Sequence, residues 1–280
     1  MRFRIVLIAA ACLALTGCLS FGYGRRQYRS NLLDYLNPRN TEARRVNAPS
    51  RLQLPLRIGI AFVPAGNSPI DAESEQRLLE IVRKAFSGRE WVRDIRTIPS
   101  AYLLPHGGYD NLEQVSRMFG VDVMALVSVD QIQYNDPTAL SILYLTIVGQ
   151  YVLPGDRDDT RTLIDVAVLD VTSRNFLLRA PGTSRIRGFN TPIDSARRLR
   201  GKSDEGLRLA MLDLTKNLDA AVSSFKADVA AGQRADVDII TREGKSVRGG
   251  GAFDPLAVLL VVVAAAAIKC GAWRATPSMR

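Results

Sequence analysis

Val121-Asp-Val-Met-Ala-Leu-Val-Ser-Val129 is a near-continuous apolar run rich in β-branched residues, and such a run reads as a central strand covered on both faces. Just upstream, Asp110 and Glu113 predict a capping box, Leu112, Val115 and Phe119 share one helical face, and Gly120 closes the helix. Further back, Leu56 to Val63 ends at Pro64 and predicts a strand. Ser68-Pro-Ile-Asp71 then predicts an N-cap with Pro at the first helical position, and Leu78, Leu79, Val82, Ala85 and Phe86 form one face before Gly88. Val92 to Ile98, stopped by Pro99, completes the order strand, helix, strand, helix, strand. Downstream, Leu163 to Val171 and Phe176 to Ala180 flank Thr172-Ser-Arg-Asn175 and predict an antiparallel hairpin. A last helix is expected from about Asp204 to Val229, with Leu207, Met211, Leu214, Leu218, Val222 and Phe225 in one stripe against the sheet.

These elements predict an α/β sandwich with a mixed sheet over residues 52–232. Ser20 to Arg51 has turn signals at Asn37-Pro-Arg-Asn40 and Asn47-Ala-Pro-Ser50 around a short apolar patch, so 18–51 is expected to be a basic flexible linker, and 233–251 a second linker. Leu140 to Leu153 is ambiguous. It is too short for a comfortable transmembrane helix, and Ile142 to Val148 lacks the alternation of a pore-forming hairpin, which leaves a buried strand, a partner surface or a membrane contact.

Composition excludes several chemistries. Of 280 residues, 47% are hydrophobic, and 37 basic residues face 28 acidic ones, which is globular rather than disordered. The three cysteines, Cys12, Cys18 and Cys270, lie near the ends, and His106 is the single histidine, so neither a His-rich zinc site nor a Cys-His nucleophile fits in the body. Gly155-Asp-Arg-Asp-Asp159 lacks EF-hand spacing and reads as a polar loop between strands. Pro105-His-Gly-Gly108 reads as a loop, because no Gly-x-Ser-x-Gly or Walker A motif accompanies it. Asp122, Asp130, Asp165 and Asp170 border strands and read as turn or edge residues. No cofactor is called for. Without signal and tail, 32 basic residues face 27 acidic ones, about +5, concentrated at Arg25, Arg26, Arg29, Arg39, Arg44, Arg45, Arg51 and Arg57. That excess suits either anionic headgroups or a solvated tether, whereas no nucleic-acid motif is present.

The two ends carry the sharpest signals. Arg2 and Arg4 precede an apolar run from Ile5 to Leu15, as in a secretory signal spanning residues 1–17. The run ends in Leu15-Thr-Gly-Cys18, which resembles the bacterial lipobox, whose Cys takes a diacylglycerol after cleavage. Leu19 at the next position points to the outer membrane. At the other end, Leu256 to Ile268 is unbroken apolar sequence, and Leu256 to Trp273 gives about 27 Å of helix at ~1.5 Å per residue, enough to span. Leu256, Leu259, Leu260, Val263, Ile268 and Trp273 would form the anchor, and Lys269, Arg274 and Arg280 the cytoplasmic stop, which places the body outside. Gly249, Gly250 and Gly251 precede it and oppose helix formation at about 1 kcal/mol each, so they offer a protease an extended strand.

A glycine pair, a short hydrophobic helix and basic residues resemble the GlyGly-CTERM sorting tail, which implies cleavage by rhombosortase, a serine protease of the rhomboid family. With the lipobox, and with Leu54-Pro-Leu-Arg-Ile-Gly-Ile-Ala-Phe-Val-Pro64, Asp110-Asn-Leu-Glu-Gln-Val115, Gly120-Val-Asp-Val123 and Arg179-Ala-Pro-Gly-Thr183, the chain resembles the rhombotarget lipoprotein family. Ala275 to Met279 departs from the denser basic cluster of such tails. The element order is similar to the periplasmic domains of the curli secretion channel and of the lipoprotein activator of penicillin-binding proteins. The resemblance implies a palmitate-bearing envelope lipoprotein, an inner-membrane precursor with a mature form in the outer membrane or at the cell surface. Its expected partners are membrane lipid, signal peptidase II, the acylation machinery, rhombosortase and an envelope protein. A binding or scaffold role is expected rather than an enzyme, with a periplasmic hydrolase or a subunit of a secretion assembly as the alternatives.

Overall fold

The fold is that of a computed structural model, which describes residues 24–37, 48–65, 70–137, 156–190 and 195–241. Cys18, the Leu140 to Leu153 stretch, Gly155, Gly249 to Gly251 and the whole C-terminal tail lie outside the described residues. In chain order come β1 (Gly24–Arg29), α1 (Leu32–Leu36), β2 (Ser50–Gln53), β3 (Leu56–Phe62), α2 (Ala72–Phe86), β4 (Val92–Thr97), a 3₁₀ turn (Ser100–Tyr102) and α3 (Gly108–Phe119). They are followed by β5 (Val123–Pro137), β6 (Asp156–Asp170), β7 (Phe176–Asn190), α4 (Ser195–Ala230) and β8 (Val237–Ile240).

The main sheet is mixed, in the order β4-β3-β5-β6-β7, with β1 also on β5. β3 pairs parallel with β4 and β5, whereas β5–β6, β6–β7 and β1–β5 are antiparallel. The expected central strand is central: Val123 to Val127 and Val129 are nearly or fully buried. On one face, Ile60, Phe62, Val127, Val129, Ile164 and Val166 meet Leu78, Leu79, Val82 and Phe86 of α2 and Leu207, Met211, Leu214 and Leu218 of α4. On the other, Ala61, Met124, Leu126 and Leu169 meet Leu112 and Val115 of α3 and Tyr35 and Leu36 of α1. Helices therefore cover both faces, which makes this a mixed α/β fold.

Several expectations need correction. The segment expected to be a flexible linker contributes β1, whose six residues all pair with β5 from Gly24 opposite Asn135 to Arg29 opposite Asp130. It also contributes α1, pinned where the Tyr35 hydroxyl donates to Asn111 Oδ1 at 3.0 Å in a buried bond. The second expected linker contributes β8, which pairs parallel with β2. The α2 cap is Asp71, whose carboxylate accepts from Ser74 N–H at 2.7 Å. Ser68 and Pro69 lie outside the described residues. At α3 no side chain caps: the N-cap is Gly107, and Asp110 instead accepts from Arg174 at 3.1 Å. The C-terminal expectation there holds, since Gly120 is left-handed (φ 61), a conformation that Gly adopts without steric cost. The Asp156 to Asp159 stretch is the start of β6, not a loop, and both hairpin strands run to fifteen residues. α4 begins at Ser195, nine residues before the expected start at Asp204.

Candidate functional site

α4 sits on the sheet in two different ways. Its first half is held by polar groups. Gln131 Nε2 donates to Thr162 Oγ1 (2.8 Å) and the Ser203 carbonyl (3.1 Å), Gln133 Nε2 donates to the Leu199 carbonyl (2.8 Å), and Lys202 Nζ reaches Asp158 Oδ2 at 2.8 Å. This alternation of polar residues after Val129 is why the strand appears to stop there on the apolar pattern alone. In the middle, Gly182 brings β7 against the helix backbone, since a Cβ there would lie 2.2 Å from the Ala210 carbonyl oxygen. The second half is apolar, with Leu218, Val222, Phe225 and Val229 recurring along one face.

Beneath that second half lies an apolar cleft of about 490 Å³. Ile58, Ile60, Val123, Ala125, Val168 and Leu178 of the sheet form its floor, and Val82 and Phe86 of α2 with Trp91 and Ile95 form one wall. Leu52 and Ile239, from the paired strands β2 and β8, close the end. Nineteen of the twenty-one lining residues are apolar, and the two charged ones are Glu90 and Lys226. The size falls within the range of roughly 300–1,000 Å³ typical of small-molecule sites, which are mostly apolar with a few placed polar groups. Ile58, Trp91, Val168, Val222 and Phe225 are only partly buried, so a ligand would remove further apolar surface from water at ~25 cal/mol per Å².

The rim is polar. Lys226 Nζ stands 4.9 Å from the centroid of the Trp91 ring, which in turn meets Phe86 edge to face at 6.1 Å. Arg89 bridges to Asp219 of α4 at 3.0 Å, and Arg234, over the Phe225 ring at 5.1 Å, pairs with Asp236 at 2.9 Å. Hydrogen bonding from Arg234 holds the Asp236 carboxyl below its ordinary value. Lys226 is thus the rim cation not matched to a carboxylate among the described residues.

The residues singled out in the sequence lie elsewhere. His106 has a left-handed backbone (φ 58) beyond α1, on the opposite side of the sheet, and its Nδ1 is 3.2 Å from the Asp34 carbonyl oxygen. It makes no ion pair among the described residues. Of the four aspartates expected to border strands, Asp122 and Asp170 do, whereas Asp130 and Asp165 lie inside β5 and β6; all are engaged, Asp122 with Arg57 (2.6 Å), Asp130 with Arg29 (3.9 Å), Asp165 with Arg179 (2.6 Å) and Asp170 with Ser173 (2.5 Å). Asp159 takes Arg185 and Arg161, and the Arg185 bond above all draws its carboxyl down to about 2 against the opposing effect of partial burial. Burial pushes the Tyr35 hydroxyl well above its ordinary value. No group of three or more His, Cys, Asp or Glu able to hold a metal occurs among the described residues. Val82, Phe86, Leu218, Val222 and Phe225 lie on core-facing stripes in the sequence, but nothing in those stripes signals the gap they surround. Trp91, Glu90 and Lys226 carried no motif at all.

No protein-family model matches the chain, and no curated protein does. Among solved structures it is similar to a hemagglutinin homologue from Helicobacter pylori, at 12% identity over 63% of this chain and 93% of that one, with a TM-score of 0.36. It is also similar to a PelC dodecamer from Paraburkholderia phytofirmans (10% identity, 70% and 95% coverage, TM-score 0.31). A third is the lipoprotein GNA1162 from Neisseria meningitidis (14% identity, 55% and 94% coverage, TM-score 0.23). At these scores no function is taken from the likeness.

Proposed function

We propose that this protein is a cell-envelope lipoprotein, of the rhombotarget lipoprotein type, that binds an amphipathic small molecule with its apolar part in the cleft under α4 and its anionic head beside Lys226. The observation that carries the reading is the cleft itself: about 490 Å³, lined almost wholly by aliphatic and aromatic side chains, with Lys226 at the rim matched to no carboxylate among the described residues. Each ligand methylene buried there is worth about 0.8 kcal/mol, so a chain of ten or so carbons supplies affinity without catalytic groups. The reading contains no chemical step. Lipidation of Cys18, removal of the tail at Gly249 to Gly251 by a rhombosortase, the membrane anchor after Leu256 and an outer-membrane destination belong to the same proposal, and they rest on the lipobox and tail motifs. So does the finer fold likeness to envelope α/β sandwich lipoproteins.

β1 supports the arrangement. Gly24 follows Cys18 by six residues, a reach of about 20 Å at most, so a lipid on Cys18 would hold the folded domain close to the membrane by the Asn135 end of β5. The cleft lies at the Val123 end of that strand, about 40 Å away at ~3.4 Å per residue.

The test uses dansylaminoundecanoate, an anionic amphiphile whose dansyl group accepts excitation energy from Trp91, in a Trp273→Phe background that removes the second tryptophan. The full chain in mild detergent should show saturable transfer. Val222→Phe, which intrudes on the cleft, and Lys226→Glu should each weaken it, and His106→Ala should leave it unchanged. Saturable transfer as tight with Val222→Phe and Lys226→Glu as without them would overturn the reading, and dependence on His106 would revive the hydrolase.

A further inference from the structure

Strand periodicity sorts the residues of β5, β6 and β7 between the two faces of the sheet, and one of those faces is left partly open. On β6, Asp158, Thr160, Thr162 and Ile164 are buried toward α4, so Asp159, Arg161, Leu163 and Asp165 point the other way. Their β7 neighbours on that side are Arg179, Thr183, Arg185 and Arg187, all exposed. β1 adds Arg25 and Arg29 across from Tyr134 and Asp130. No described helix covers this part of the sheet, because α1 and α3 cover only its other half.

Among the described side chains, the open face holds six arginines, at 25, 29, 161, 179, 185 and 187, against three aspartates, at 130, 159 and 165. Each aspartate is already paired with an arginine of the face. Tyr134 is flanked by two guanidinium groups, Arg25 at 6.0 Å and Arg161 at 5.6 Å from its ring centroid. Large aliphatic side chains stand out on the same side of the molecule: Leu163 is 40% exposed, and Leu33 of α1 and Leu104 of the adjoining turn are 66% and 59% exposed.

We propose that this side of the domain docks face-down on an anionic lipid surface, the arginines taking headgroup phosphates while Leu33 and Leu104 enter the interface. Net positive charge on a flat sheet face selects an anionic surface, and protruding leucines select one with an apolar layer beneath, which a soluble polyanion lacks. Arg25 and Arg29 of the N-terminal strand contribute to this same face. One consequence is that the α4 cleft, on the opposite face, opens away from the membrane.

The experiment is hydrogen–deuterium exchange on the full chain, reconstituted in vesicles of phosphatidylcholine alone or with 30% phosphatidylglycerol. Three net charges should favour the face-down state on the order of 100-fold with the anionic lipid, so β7 and the Leu104 turn should exchange more slowly there. High salt should remove the protection without any mutation, and Arg187→Glu with Leu104→Ser should remove it with the melting temperature preserved. Equal exchange in both vesicles would overturn the proposal, as would protection by soluble dextran sulfate that matches or exceeds that by phosphatidylglycerol. This outcome is independent of whether the cleft binds an amphiphile.

Discussion

Two glycine-to-alanine changes, one where β7 meets α4 and one on the open side of α4, should have opposite signs. At Gly182, the added Cβ would lie 2.2 Å from the Ala210 carbonyl oxygen, 2.4 Å from Leu214 N and 2.5 Å from Leu214 Cβ. Ordinary contact is about 3.5 Å, so strand and helix would have to separate by roughly 1 Å. The obstructing atoms are mostly backbone and cannot rotate aside. Separation would also loosen Met211 and Leu214, both at zero exposure, from Ile164, Val166 and Ala180. Overpacking costs about 1–3 kcal/mol, and with a rigid obstruction the upper end, about 3 kcal/mol, is expected. For a domain of this size that is a fall of about 6–12 °C in melting temperature. At Gly201, in the same helix, a Cβ meets nothing within 4 Å. Gly201→Ala should therefore stabilise by up to about 1 kcal/mol, through helix propensity alone. Urea denaturation of both full-length variants, followed by circular dichroism, checks the pair. A Gly182→Ala midpoint equal to wild type would refute the close seating of α4 on β7, and a destabilising Gly201→Ala would refute the open surroundings of Gly201.

The Asp159 carboxyl, drawn down to about 2 chiefly by its bond from Arg185, contributes stability that is present above the unfolded value near 4 and is lost as pH falls toward 2. Asp159→Asn should flatten the stability profile between about pH 4 and 2 while changing the neutral-pH slope little, and an unchanged acid limb would contradict the pairing. For the ends, Cys18→Ser should stop incorporation of labelled palmitate, and replacing Gly249, Gly250 and Gly251 with Leu should trap a full-length form in the inner membrane. Normal lipid labelling in the first variant, or normal tail loss in the second, would count against the corresponding motif.

Where local pattern carries the information, the chain could be read directly. The apolar run at Val123 to Val129, the α2 stripe of Leu78, Leu79, Val82 and Phe86 and the α4 stripe through Leu218 each announce a strand or helix and its buried side, because neighbours along the chain set the period. Within that legible set, Ala85 is exposed where the stripe expected it to be covered. The stretch Arg179-Ala-Pro-Gly-Thr183 could be picked out as a segment, but its physical role, the close seat for α4 at Gly182, could not.

What tertiary structure alone decided depends on partners far away in the sequence. Gly24-Arg-Arg-Gln-Tyr-Arg29 has almost no apolar alternation and reads as a tether. It becomes a strand because β5, about a hundred residues later, offers an unpaired backbone edge beyond the end of β3. Asp158 and Asp159 read as a loop because their neighbours in sequence are polar, and they sit in a strand because Lys202 and Arg185 stand opposite. The cleft is the clearest case. Each of its aliphatic residues carries the same burial signal as a core residue, and a void is a property of the space between elements, which no single stretch of sequence encodes.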